Sequence, residues 1–435
     1  MISRYETEAM SALWSSNATF ERWTTVEIAA SAAWHDRGVI SDAEMRQIRE
    51  KSKAPDAARV REIEKETNHD VVAVVRALGE HVGEPASRHL HRGLTSSDVV
   101  DTALAIAIRD SLEVVIEATE SARATIARRA IEHKTTPCAG RTHGVHAAPT
   151  TFGLRLAGWY SELGRHLERL RAARVECAFG KLSGAVGNFS QTDPAFERFA
   201  LDELGLSHEP IATQVVPRDR HAMVFSVLAL LGAGSERFAG ELRALQRTDL
   251  REAEEGFTPG QTGSSAMPHK KNPITAERLT GMARLLRGYM LAAHENVALW
   301  HDRDISHSSV ERVAFPDAFH VVHYMLLKLD RLVAELRVYP DAMQNNMDRV
   351  RGLMFSQSVL TVMLDAGLDR HDAYRVVQRS AMKVWDGKAG HLREALEREE
   401  LVQNDLQPAS LDAAFSMDRY TRHIDELFKR TGLGS

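Results

Sequence analysis

Three polar stretches of this chain hold residue types that can move protons and grip anions. Thr262-Gly-Ser-Ser-Ala-Met-Pro-His-Lys-Lys-Asn-Pro273 packs two hydroxyls (Ser264, Ser265), an imidazole (His269), two ammoniums (Lys270, Lys271) and an amide (Asn272) into one segment. A hydroxyl or imidazole there can take a proton while the neighbouring cations clamp a carboxylate. Gly140-Arg-Thr-His-Gly-Val-His-Ala-Ala-Pro-Thr-Thr151 brings His143 and His146, spaced like metal ligands but without the further ligands of a CxxC or HExxH site. Trp300-His-Asp-Arg-Asp-Ile-Ser-His-Ser-Ser-Val-Glu-Arg312 sets Arg303, Ser308 and Arg312 in a hydroxyl-rich turn suited to a phosphate or carboxylate. Each stretch also has an ordinary reading: a solvated connector, imidazoles satisfied by backbone, a salt-bridged surface turn.

The elements that must position these groups are helices. Gly256, Pro259, Gly260, Gly263, Pro268 and Pro273 forbid a continuous helix from 256 to 273, so this is a long loop. Asn272 as N-cap and Pro273 as first helical residue then start a helix whose positive end is ready for an anion. Leu104, Ile108, Leu112, Val115, Thr119, Ala122 and Ile126 step by three or four, with no Gly or Pro from 95 to 136. That spacing predicts one helix of roughly 30 residues, far longer than average. Further long helices are expected after Pro149, through Leu231, Ser235, Phe238, Leu242 and Leu245, from Asn272 to about Trp300, and from Asp317 to Leu336. The 231–245 spacing is heptad-like, as at an interface between chains.

Nearer the start, shorter helices are expected over Phe20–Trp34 and Val60–Val82, and Thr95 with Asp98 has capping-box spacing. No run alternates with the period of a substantial sheet. The prediction is an all-α fold in three helical domains: 1–95, a long-helix bundle over 96–343 that contains the 256–273 loop, and shorter charge-rich helices over 344–435.

Composition sets the outer limits. The chain has 435 residues, 26% charged and 43% hydrophobic, which suits a folded globular protein with a large core. A net charge of −5 without a long basic run argues against nucleic acid as the main partner. Cys138 and Cys177 are the two cysteines, without CxxC spacing, which favours a reducing compartment over a disulfide scaffold. The first residues, MISRYETEAMSALW, lack the apolar core of a secretion signal, and no run of about 18 apolar residues is evident, so a cytoplasmic location with no membrane is expected.

Read together, GSSAMPHKKNP, GRTHGVHAAPTT and RDISHSS resemble the three signature segments of the fumarase/aspartase superfamily, lyases that release fumarate from a succinyl group by β-elimination. The last two resemble the branch acting on adenylosuccinate and the related succinyl-carboxamide ribotide (SAICAR), which yields AMP or AICAR in purine biosynthesis. The resemblance spans nearly the whole chain and is strongest from 91 to 312. It implies Ser264 as the base, His143 as the acid and His69 in support, with no cofactor and no metal. It implies substrate contacts at Arg4, Tyr5, Asn68, Asp70, His91, Thr95, Ser96, Gln214, Ser265, Lys270, Asn272, Glu277, Arg303, Ser308 and Arg312. Two positions depart from the pattern: Asn68 stands where an arginine often precedes the histidine, and Ala148 where many relatives carry an acidic residue. The resemblance also implies a homotetramer whose central helices form one bundle and whose active sites are shared between subunits. The alternatives are another lyase or cycloisomerase of the superfamily (argininosuccinate, aspartate, malate or carboxymuconate), a non-catalytic helical scaffold, and a metal hydrolase built on His143 and His146.

Overall fold

The computed structural model describes residues 1–257, 266, 267 and 269–434. Helices dominate, and among the described residues the only strands form three two-stranded pairs. The helices used below are α1 (Ser16–Asp36), α2 (Ala57–Thr67), α3 (Asp70–Val82), α4 (Ser96–Glu132), α5 (Phe152–Glu176), α6 (Asp219–Leu245), α7 (Ile274–Glu295) and α8 (Ser306–Ala334). Shorter helices follow from Pro340 to Thr431.

Contacts divide the chain into two units. The first comprises Met1–Glu120, Arg165–Glu236 and Leu279–Lys328; the second comprises Ser121–Gly164, Arg237–Arg278 and Leu329–Ser435. In the first, Trp23, Val26, Ala30, Val74, Val99 and Phe196 belong to one buried cluster. Phe315 of α8 packs against Trp14 and Phe225 with ring centroids 6.2 and 4.6 Å apart. In the second, Trp159 of α5 stacks on Phe238 of α6 at 4.7 Å. There Arg123 of α4 lies 3.8 Å from the Tyr160 ring centroid. Val359, Met363, Val377, Leu392 and Leu396 form the core of the last helices.

The expected long α4 is present and runs for 37 residues. Other boundaries differ from the sequence reading, each for a local reason. The helix expected over Val60–Val82 is broken at Asn68, which takes a left-handed conformation (φ 49°) and ends α2. His69 then caps α3. Asparagine tolerates that conformation well, so the break needs no glycine. Helix α8 begins at Ser306 rather than Asp317, with Pro316 inside it. A proline interior to a helix removes one hydrogen bond, and packing of Phe315 and Phe319, both fully buried, compensates. Helix α7 ends at Glu295, short of Trp300.

The heptad-like residues of α6 are also reassigned. Leu231, Ser235, Phe238, Leu242 and Leu245 are all buried within the single chain, so this seam is core and leaves no open interface. Other apolar residues face outward on the long helices instead. Leu230 of α6, Leu291 of α7 and Val313 of α8 are each more than half exposed. Among the described residues α6 alone is long and apolar enough to cross a membrane, with hydropathy 1.3, yet 67% of that window is buried inside the protein.

Buried charge fixes the start of α4 and the start of α8 in the first unit. Asp98 and Lys181 are both fully buried and paired. Asp98 also accepts from the Gly184 N–H at 3.2 Å and the Thr95 N–H at 2.8 Å, the latter being the N3 half of the expected capping box. One turn further along α4, Asp101 takes Arg218 Nη1 at 2.6 Å and Nη2 at 3.0 Å. The same guanidinium donates to both Glu311 oxygens at 3.1 Å. His221 Nδ1 and His307 Nδ1 lie 2.9 and 3.0 Å from that carboxylate.

Burial opposes ionisation of both carboxyls, but the cations outweigh it. Arg218 holds Asp101 below the usual carboxylate range, and His221 with Arg218 holds Glu311 well below it. Removing one member of such a network leaves the others charged and unpaired, at a cost of about 3–5 kcal/mol. Both carboxyls have folded values below their unfolded values, so their stabilisation is complete above roughly pH 4 and is lost as pH falls through the folded values. Arg218→Met is therefore expected to lower stability by about that amount at pH 7. The gap from wild type should narrow as pH falls toward the ordinary carboxylate range, because burial raises the orphaned carboxyls and they protonate above their usual values. Denaturation midpoints across pH check this; a gap that is small at neutral pH, or that widens with acid, would contradict it.

Candidate active site

The first unit gathers most of the nucleotide-binding candidates. Asp70, at the first position of α3, pairs with Arg312 of α8. Arg312 Nε also donates to Ser308 Oγ at 3.3 Å. His69 Nδ1 accepts from the Val72 N–H at 3.4 Å. The imidazole is exposed, with Asp70 Oδ1 3.5 Å from the same nitrogen. Arg303 Nη1 donates to Gln214 Oε1 at 3.0 Å, joining two loops that are also tied by the Gln214 N–H to the Asp302 carbonyl at 3.3 Å.

His91 is held on two sides by one carboxylate. Glu27 of α1, 1% exposed, accepts from the His91 backbone N–H and lies against its Nδ1, both at 2.7 Å. Burial pulls the imidazole toward neutrality, but the bond to Glu27 outweighs it and raises its pKa, which favours the cation. A half-buried His91 with Nδ1 engaged leaves Nε2–H for an anion. Thr95 and Ser96 stand at the start of α4, half-buried, with Asp98 behind them. Arg4 and Tyr5 form a single turn with Ser3; Arg4 is exposed, and Tyr5 packs edge-on to Tyr324 at 5.5 Å. Asn68 is exposed, with no described side-chain bond to the nucleotide candidates.

The second unit holds His143 on a hairpin that the sequence reading did not anticipate. Strands β1 (Pro137–Thr142) and β2 (Val145–Thr151) pair antiparallel with Thr142 opposite Val145, leaving a two-residue loop of His143 and Gly144. Both take positive φ, 54° and 77°, as a type I′ hairpin turn demands. After asparagine and aspartate, histidine is among the non-glycine residues that tolerate such a φ, and the turn leaves the His143 imidazole exposed at the tip. The signal was a His-Gly pair where Asn-Gly is usual. His146 stands in register opposite Arg141. Burial and then that guanidinium depress its pKa, and the neighbouring cation opposes a bound metal ion.

The start of α7 differs most from expectation. Its first turn was expected to offer free N–H groups to a substrate anion, with Asn272 as the cap. The helix begins at Ile274, and the buried Glu255 carboxylate accepts from the Thr275 and Ala276 N–H groups at 3.1 and 2.7 Å. An internal anion therefore already occupies two of the helix donors, and nothing in the local sequence signals it. Gln246 bridges the stems of the adjoining loop, accepting from the Glu255 N–H at 3.0 Å and donating to the Lys271 carbonyl at 3.1 Å. Lys271 pairs with Glu254 at 2.8 Å. Lys270 and Glu277 are exposed and Asn272 is half-buried. Ser264 and Ser265 lie outside the described residues.

Sequence reasoning also missed Glu27, Asp101, Glu252 and Glu311. Glu27 was visible as a lone acid within the apolar Thr24–Ala33 run. Glu311 becomes an i,i+4 partner of His307 once α8 starts at Ser306.

Comparison with known proteins narrows what this arrangement belongs to. Residues 3–288 match the family model described as "Lyase", and residues 352–431 match "Adenylosuccinate lyase C-terminus". A curated adenylosuccinate lyase of Bacillus subtilis is 47% identical over 433 residues, covering 100% of each chain. One from Thermotoga maritima is 46% identical over 430 residues, 99% of each. The crystal structure of a fumarate lyase from Mesorhizobium sp. superposes with a TM-score of 0.90 at 27% identity, covering 99% of this chain and 98% of that one. Both matched segments and both end-to-end relatives agree, and the chain belongs to the adenylosuccinate lyase family of lyases.

Proposed function

We propose that this lyase eliminates fumarate from adenylosuccinate to leave AMP, and from the succinyl-carboxamide ribotide in the same way. The observation that carries the reading is the end-to-end likeness, including the C-terminal segment, to curated enzymes of that name.

Elimination needs a base for the proton on the carbon next to a carboxylate, stabilisation of the carbanion, and an acid for the leaving nitrogen. Ser264, activated to its alkoxide when substrate binds, is the proposed base that takes the proton from carbon, and His143 is the acid. As the proton leaves carbon, its electron pair forms the new double bond, the C–N bond breaks, and the imidazolium N–H of His143 supplies the proton that neutralises the departing amine. Lys270 and Asn272 hold the succinyl carboxylate whose negative charge grows during proton removal, the largest electrostatic demand of the step. Ser265 and Glu277 are proposed to contact the same part of the substrate. With two α7 donors engaged by Glu255, the ammonium rather than the helix terminus carries most of that demand.

Arg303, Ser308, Arg312, His91, Thr95, Ser96, Gln214, Arg4, Tyr5 and Asp70 are proposed to receive the nucleotide, with the raised pKa of His91 suiting a phosphate. His69 supports the acid. The chemistry calls for no cofactor. A scaffold descended from the same fold would have no use for Ser264, Lys270 and His143, and all three are present.

The same reading makes the enzyme a homotetramer with residues 96–343 as its central bundle and sites shared between subunits. Exposed Leu230, Leu291 and Val313 on three long helices supply apolar surface for that assembly. A cytoplasmic location accompanies it, in keeping with two free buried thiols.

Ser264→Ala and His143→Ala are each expected to lower kcat on adenylosuccinate by at least about 100-fold while substrate still binds. Steady-state rates and a binding titration test this, and near-normal turnover by either variant refutes its assignment. In sizing under assay conditions, activity should elute well above the 48.4 kDa of a single chain. An active monomer would rule out shared sites.

A further inference from the structure

The His143 turn has an anchor that never meets solvent. Glu252 is 0% exposed and lies just past the end of α6. Its carboxylate accepts from Arg141 Nη1 at 3.0 Å and Nη2 at 2.5 Å, one oxygen each. Asn346 Nδ2 donates to the same carboxylate at 2.9 Å and to the Leu250 carbonyl at 2.9 Å. The backbone of Glu252 is itself fixed, its N–H to the Leu245 carbonyl and its carbonyl to the Tyr339 N–H, both at 3.0 Å. Three separate pieces of the second unit therefore converge on one carboxylate: the end of α6, the hairpin, and the helix Pro340–Asp348.

Arg141 is two residues from His143 and one pair below the turn, and the β1–β2 register slips between Ala139 and Arg141. A two-stranded hairpin is marginal by itself, and a bulge interrupts the pairing between its base and its tip. Among the described residues no hydrogen bond holds the His143 imidazole directly. What fixes the tip is the bidentate guanidinium–carboxylate pair, whose planar fork sets orientation as well as distance.

We propose that Glu252, assisted by Asn346, is a positioning residue for His143. It acts through Arg141 and touches no substrate. The proposal rests on His143 being the acid of the elimination.

Glu252→Gln keeps the shape but removes the charge and one acceptor. Its kcat should fall about 10- to 100-fold with KM within about threefold, as expected when a reacting group is displaced by about an ångström. In a His143→Ala background the same change should lower kcat no further, because the group it positions is gone. Independently of turnover, amide hydrogen exchange over 137–151 should quicken at least about tenfold in Glu252→Gln, while the 353–415 core stays protected. Unchanged exchange at the hairpin overturns the proposal. So does a Glu252→Gln loss that multiplies with His143→Ala, since a generally structural role would do that.

Asn346→Ala removes a single donor and leaves the ion pair intact, so it serves if Glu252→Gln does not fold; a smaller change in the same direction is expected, and none overturns the proposal. Wild-type protein that leaves adenylosuccinate untouched would refute the activity reading, and the exchange comparison would still decide whether Glu252 holds the turn.

Discussion

A charge taken out of water must be paired and hydrogen-bonded, or it destabilises the fold by several kcal/mol. Much of this structure follows from three places where that demand is met directly behind a polar turn. Asp98 with Lys181 underlies Thr95 and Ser96. Arg218, clasped by Asp101 and Glu311, underlies the segment from Arg303 to Arg312. Glu252 with Arg141 underlies His143. A turn built only of solvated side chains would sample many geometries. A turn whose flanking residue belongs to a buried pair has little freedom, because displacement exposes or orphans a charge. The apolar core supplies the mass of the fold, while these pairs supply its accuracy where chemistry is proposed.

The His143 turn and the start of α7 illustrate different solutions. The His143 turn combines a left-handed backbone with an exposed imidazole, and Arg141 restrains it from below. The start of α7 takes an internal carboxylate, Glu255, onto its N–H groups. That arrangement fixes where the helix begins and occupies two of its N-terminal donors. Gln246 joins both stems next to it, so Lys271 and Glu255 are held at a set spacing.

How much of this was legible in the sequence depended on range. Long α4 followed from unbroken three-and-four spacing, and the shortage of strands from the lack of alternation. What failed were helix boundaries set by local conformation and packing, and features decided by partners far along the chain. Asn68 ends a helix without glycine or proline, Pro316 sits within one because buried phenylalanines hold it, and the 231–245 seam turned inward because the chain supplies its own covering. The His143 hairpin lay in plain view as His-Gly between short strands, but its pairing is slipped and its strands brief. The motif residues were legible as chemistry, whereas Glu27, Glu252, Glu255 and Glu311 were not. Each is an acid whose meaning comes from a group 20 or more residues away, apart from the His307–Glu311 pair that a correct helix start would have revealed.

The central claim is that the polar turns serve one elimination across a carbon–nitrogen bond. Product analysis of purified protein incubated with adenylosuccinate tests it most directly. The account expects fumarate and AMP in equal amounts, formed at the rate the nucleotide disappears. Untouched nucleotide would contradict it, and so would aspartate released together with a 6-oxo purine nucleotide, the signature of hydrolysis at the ring instead of elimination from the succinyl group.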